Sequence, residues 1–192
     1  MKKIVFITIA SAVILYTACV WALEFSADMV TTTEAGTFEG KIFVSNNKMR
    51  TEMPQAISIV RFDKQITWVI MPEQKMYMEQ TIDPKTVSSA AEKVPGEIER
   101  TALGDETVDG RSTTKYKVVY TAANTEETVL QWIDKETSIP IKVGSEDGTW
   151  LTEYRNLKVG PQPDSLFEMP EGYAKFNMPN MQDIQKMMGN SD

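Results

Sequence analysis

Three kinds of side chain in this sequence could carry chemistry, and each also has a plain structural use. Paired acids stand at Asp105-Glu106, Glu126-Glu127 and Glu146-Asp147. Neighbouring carboxylates can ligate calcium or act as the acid and base of a glycosidase. Each pair falls at an expected turn, where solvated acids are common. Arg50 and Arg61 stand inside strand-like runs, and Arg61 shares a face with Ile57 and Ile59. Such an arginine can meet a ligand carbonyl or headgroup, or it can reach solvent from a strand end. Methionine is the third kind, with twelve in the chain. Met49, Met53, Met76 and Met78 lie on strand faces that also carry isoleucine or tryptophan. An unbranched, polarizable side chain can line an adaptable cavity for acyl chains, or it can simply fill a core.

What is missing narrows the chemistry further. The chain has no histidine and one cysteine, Cys19. That excludes a Ser-His-Asp or Cys-His triad and a zinc site of the usual Cys/His kind. No GxSxG, P-loop or GxGxxG occurs. A net charge of −7 lacks the basic footprint that phosphates need, so nucleic acid is not an expected partner. Neither an enzyme nor a cofactor is expected. The 42% hydrophobic and 24% charged shares are those of a globular chain.

The elements that must position these residues are mostly strands. Period-2 alternation recurs from Phe25 to Leu157. Turn signals stand at Asn46-Asn47, Asp63-Lys64, Pro72-Glu73-Gln74, Asp109-Gly110 and Glu146-Asp147-Gly148. About ten strands are expected, paired with their sequence neighbours in an antiparallel sheet that must curl. Asp83-Pro84 opens a helical stretch from Lys85 to Val94. Met181, Ile184, Met187 and Met188 are spaced for a short C-terminal helix or a polar tail. The class is mainly β within α+β. A curled sheet has a concave face, and few helices are at hand to fill it.

The N-terminus reads as an address. Lys2 and Lys3 precede an uncharged run from Ile4 to Leu23, and Val20-Trp21-Ala22 fits a small-x-small cleavage pattern. The expected division is a signal peptide over 1–22 and one β domain over 23–192. Thr17-Ala18-Cys19 resembles the end of a lipobox, which would anchor the protein through Cys19. An uncleaved anchor helix is a third possibility, because the run is long enough to span a bilayer. A mature chain without cysteine relies on its core rather than on disulfides.

The order of motifs resembles the periplasmic lipoprotein carriers and outer-membrane lipoprotein-sorting proteins, the LolA/LolB-like group. The matching stretches are Gly40-Lys41-Ile42-Phe43-Val44 with Asn47-Lys48-Met49-Arg50, and the hairpin of Trp68-Val69-Ile70 with Lys75-Met76-Tyr77. Gly104 through Gly110-Arg111 to Tyr116 follows, then Trp132-Ile133-Asp134 through Ile139-Pro140. Leu166-Phe167-Glu168-Met169-Pro170 with Gly172-Tyr173 closes the series. The resemblance implies a half-barrel with short helices as a lid over an apolar cavity, and partners that insert acyl chains there. Arg50 matches an arginine frequent in relatives. Leu23 runs almost directly into strand residues where carriers have a helix, and a second carrier arginine has no counterpart, Asn46 standing about in its place, which marks a divergent branch.

The expected function is therefore a monomeric periplasmic carrier or binding protein for lipid acyl chains or a lipoprotein. The alternative is an envelope structural or regulatory protein that binds another protein through the sheet face. The candidate apolar cavity residues are Ile42, Met49, Met53, Ile57, Ile59, Trp68, Ile70, Met76, Met78, Tyr116, Trp132 and Trp150. Arg50 and Arg61 are the candidate polar contacts.

Overall fold

The alternation becomes twelve strands. They are seen in a computed structural model that describes residues 24–82, 92–122 and 124–176. The N-terminal segment with Cys19, residues 85–91 of the helix expected over 85–94, and the Met181–Met188 stretch lie outside the described residues, and 92–94 are not helical. β1 (Glu24–Thr33), β2 (Gly36–Ser45), β3 (Lys48–Glu52), β4 (Ile57–Arg61), β5 (Ile66–Met71) and β6 (Met76–Thr81) form one meander. β7 (Glu97–Val108), β8 (Arg111–Ala122), β9 (Thr125–Asp134), β10 (Pro140–Ser145) and β11 (Trp150–Val159) form a second. β1 pairs antiparallel with β11 and joins the two into one curled, open sheet. A 3-10 helix, Asp164–Phe167, then leads to β12 (Ala174–Lys175), which pairs parallel to β6.

The tight turns follow from residues that tolerate a left-handed backbone. Asn46 has φ 50°, and the Asp109-Gly110 pair has φ 48° and 75°. Two acid pairs do not occupy the turns expected of them. Asp105-Glu106 lies within β7 and Glu126-Glu127 within β9, and of the three pairs only Glu146-Asp147 is in a turn. β7 runs unbroken from Glu97 to Val108, although its pairing with β8 shifts register at Ile98 and at Leu103. Each such bulge inverts the apolar-polar phase, so continuous strand reads as broken pattern. The two extra strands relative to the expected ten come partly from the short, parallel β12.

Register carries each face from strand to strand. Ala27, Ile42, Thr51, Ser58, Val69 and Met78 oppose one another in one row, and Phe43, Arg50, Ile59, Trp68 and Glu79 in the neighbouring row. We call the first the methionine face and the second the strap face. The nine charged residues of β1–β6 are Glu24, Asp28, Glu39, Lys41, Lys48, Arg50, Glu52, Arg61 and Glu79. All nine lie on the strap face.

Two clusters hold the sheet. Phe25, Ala27, Ile42, Val44, Val108, Trp132, Ile139 and Ile141 are buried together. Ile59, Trp68, Ile70 and Phe167 form the second, under the chain that follows β11. Fully burying an isoleucine or phenylalanine stabilises by roughly 1.5–3 kcal/mol. These clusters therefore carry the stability of a chain with no disulfide.

Candidate functional site

The segment Asp164–Lys175 is a strap across one face of β3–β6. Phe167 has no exposed surface and packs with Ile59, Trp68 and Ile70. Leu166, Met169 and Tyr173 pack around it with Phe43, Ile57, Ile66 and Tyr77. Arg50 Nη1 donates to the Leu166 carbonyl at 2.9 Å, and Arg61 Nη1 to the Phe167 carbonyl at 3.2 Å and to Glu168 at 2.6 Å. Asp63 receives the other side of the Arg61 fork, at 2.9 and 2.7 Å. Lys48 reaches Asp164 and Lys175 reaches Glu79. Arg50 and Arg61 were expected to contact a ligand or to reach solvent. Instead both are buried, and their donors satisfy backbone carbonyls that the strap would otherwise leave unpaired.

These carboxylates titrate low. The Arg61 guanidinium holds Asp63 down at about 2. Burial pushes Glu168 up, but the hydrogen bond and charge of Arg61 together with Lys64 outweigh this and the net shift is downward. Lys48 lowers Asp164, and Lys175 with the Trp68 indole lowers Glu79. A group depressed on folding stabilises above its unfolded value and ceases to do so as pH falls through its folded one. The strap should therefore be fully anchored at neutral pH and loosen between about pH 4 and pH 2. NMR shifts of Leu166–Met169 are expected to move across that window while those of Val118, in the second meander, stay put. Co-movement of both would mean global acid unfolding rather than strap release.

The opposite face is built from different residues. Of the seven methionines in the described residues, six lie on it: Met29, Met49, Met53, Met71, Met76 and Met78. All six are half-buried. Met53 follows the end of β3 and lies over Gly40, where a Cβ would collide with the Glu52 backbone carbonyl and come within 2.6 Å of the Met53 sulfur. That close approach is why the strand carries glycine there. Val69, Phe38, Tyr154, Trp150, Tyr116 and Tyr120 extend the same surface, with Phe38 and Trp150 39% and 36% exposed. The described elements that contact β3–β6 most are sheet neighbours and the 3-10 helix on the strap face.

The candidate cavity residues are thus divided by the sheet. Ile42, Met49, Met53, Met76, Met78, Tyr116 and Trp150 share the methionine face, where Ile42 is buried at the base. Ile57, Ile59, Trp68 and Ile70 are under or beside the strap on the other side. Trp132 also faces away from Tyr116. Its indole N–H donates to Glu106 at 2.6 Å, and the Lys115 and Lys142 ammonium groups lie 4.7 and 4.9 Å from its ring. By register the two sets leave opposite sides of the sheet, although Trp132 joins Ile42 in the first buried cluster. Sequence reasoning missed Met29, Met71, Phe38 and Tyr154. The signal was available in the pairing of Met29 with Gly40 and of Met71 with Met76, which needs the turn geometry to be known.

An open depression of about 590 Å³ lies where β1, β2 and β11 meet the end of β3. Asp28, Glu39, Lys41, Glu52 and Arg155 border it, together with Met29 and Met53. It is a charged recess and differs in kind from the apolar hollow expected.

Among solved structures, MucB is similar over 78% of this chain at 14% identity and a TM-score of 0.50. This chain covers 58% of the length of MucB. The lipoprotein LppX of Mycobacterium tuberculosis matches over 73% of this chain and 86% of its own, at 14% identity and a TM-score of 0.44. A putative outer membrane lipoprotein-sorting protein domain from Vibrio parahaemolyticus matches over 75% and 89%, at 12% identity and a TM-score of 0.36. At these identities the likeness is one of fold alone, that of an open, curled β-sheet. A comparison with curated proteins finds no match. Residues 25–138, more than half of the chain, match the family described as a domain of unknown function, DUF4412, and the chain belongs to that family.

Proposed function

We propose that this protein is a non-enzymatic binding protein of the periplasm that shelters acyl chains, of a lipid or a lipoprotein, on its methionine face. One observation carries the reading. Stiff isoleucine and tryptophan side chains are placed where the protein's own strap gives them a fixed partner, whereas of the six methionines on the other face only Met49 packs on a buried cluster. β-Branched side chains suit one packing arrangement, whereas methionine repacks around varied apolar shapes. The absence of charge on that face from β1 to β6 supports the same reading, since hydrocarbon cannot solvate an ion.

Burial stabilises by about 0.8 kcal/mol per methylene, so a twelve-carbon chain gains roughly 8–9 kcal/mol before ordering costs. Micromolar binding is then the ceiling for one such chain and the expected range for a larger tail such as a pyrene-labelled one. The basic start, uncharged run and Ala22 cleavage pattern support export. A protein ligand is the second reading, favoured by exposed Phe38 and Trp150, since aromatic anchors dominate protein interfaces.

The test is native mass spectrometry of the exported protein purified without detergent, with uptake of a pyrene-labelled acyl ester. Co-purified lipid together with micromolar uptake is the expected result. Neither bound lipid nor uptake would overturn the acyl reading in favour of the protein one. The intact mass also settles whether cleavage follows Ala22 or Cys19 is lipidated.

A further inference from the structure

Charge on the methionine face begins only in the far meander. Among the described strands one cation lies on it, Arg100 of β7; all other strand lysines and arginines face the strap side. Arg100 opposes Val118 and stacks on Tyr116, with its guanidinium carbon 5.1 Å from the ring centroid. Its Nε and Nη2 form a fork onto Glu97 at 2.9 and 2.8 Å. Nη2 also reaches the Gln131 amide oxygen at 3.1 Å and the Glu92 carbonyl at 2.8 Å. Nη1 is buried and has no acceptor among the described residues. A buried N–H of a charged group left unpaired is costly and calls for an explanation.

The surroundings say what kind of acceptor is missing. Glu97 already neutralises the guanidinium through two bonds, and its own carboxylate is held ionised by Arg100. With the guanidinium charge already balanced by Glu97, a second carboxylate at Nη1 would have to be desolvated without a free counter-charge. A neutral carbonyl oxygen supplies the acceptor without that cost. Register then connects this point to the apolar face. Tyr116, Gln131, Val143, Thr152, Thr31 and Phe38 oppose one another in an uncharged row across six strands. At about 4.8 Å per strand the row is about 24 Å long, measured along the sheet.

We infer that Arg100 Nη1 reads the neutral carbonyl of an esterified or amide-linked acyl chain, and that the protein discriminates against free fatty acids. This rests on the acyl-binding reading above. The test uses the full chain and three probes with one tail: pyrene-decanoic acid, its methyl ester and decylpyrene, followed by tryptophan-to-pyrene energy transfer at pH 7.5. The ester should bind about tenfold tighter than decylpyrene, as one bond from a charged donor allows, and tighter than the acid. Arg100→Lys, which keeps the charge but loses the fork, should bring the ester down to the decylpyrene level and leave decylpyrene unchanged. Glu97→Gln should reverse the order of ester and acid.

Equal binding of ester and decylpyrene to the wild type, or tightest binding of the acid, overturns this inference and leaves the acyl-binding reading standing. Binding of none of the three probes removes both. The wild-type ranking decides the matter even if a variant fails to fold.

Discussion

Phe167→Ala is expected to cost about 3–5 kcal/mol and to free the C-terminal strap. The ring is fully buried against Ile59, Trp68 and Ile70, with Leu166, Met169 and Tyr173 packed around it. Truncation removes its transfer free energy and leaves a cavity that flanking strands can close only in part. The polar links do not replace it. Lys48–Asp164, Lys64–Glu168 and Lys175–Glu79 each have a partner exposed enough to be screened, and such pairs are worth about 0–1 kcal/mol. Arg61 would keep Asp63 but lose a fixed carbonyl. Urea unfolding should show the fall in midpoint, and limited proteolysis should begin to cut between β11 and β12. Asp164→Ala, on the same strap, should leave the urea midpoint close to that of the wild type, because its pair with Lys48 is solvent-screened. A Phe167→Ala protein within 1 kcal/mol of the wild type would show that the strap does not close this cluster.

Met78→Glu is expected to weaken uptake of the pyrene ester at least tenfold, about 1.4 kcal/mol or more, while the fold survives. Met78 is half-buried on β6, opposite Val69, on the face with no charge. A carboxylate there can stay solvated in the free protein but must be desolvated beneath a bound chain. Met78→Leu should retain binding, since volume and polarity are kept. The next residue provides the control. Glu79 points to the strap side, where it accepts the Trp68 indole N–H at 2.9 Å. Glu79→Gln keeps an acceptor for that bond and should leave uptake unchanged. Equal losses from both variants would mean that the two faces are not functionally distinct, and the acyl site would have to be sought elsewhere.

Much of this protein was legible in its residues. Alternation located most strands, because side chains of a strand leave its two sides in turn. Asn46-Asn47 and Asp109-Gly110 marked hairpins, because few residues accept a left-handed backbone. The motif order pointed to the half-barrel. Within each strand, the residues that belong together were correctly grouped: Trp68 with Ile66 and Ile70, and Met76 with Met78. What alternation cannot supply is the sign of a face relative to the next strand. That is set by the length of each turn and by bulges, and one residue of slip exchanges the two sides. Trp68 and Met78 are both apolar and lie on paired strands, yet the register of β5 with β6 puts Glu79, not Met78, opposite Trp68. Arg50 and Arg61 found their partners in carbonyls more than a hundred residues away, which no local pattern encodes. Composition and alternation thus determined the strands, the charge and the classes of chemistry that are excluded. Only the tertiary structure decided which face the protein covers with its own chain and which it leaves to methionine, because that choice depends on register and on long-range closure.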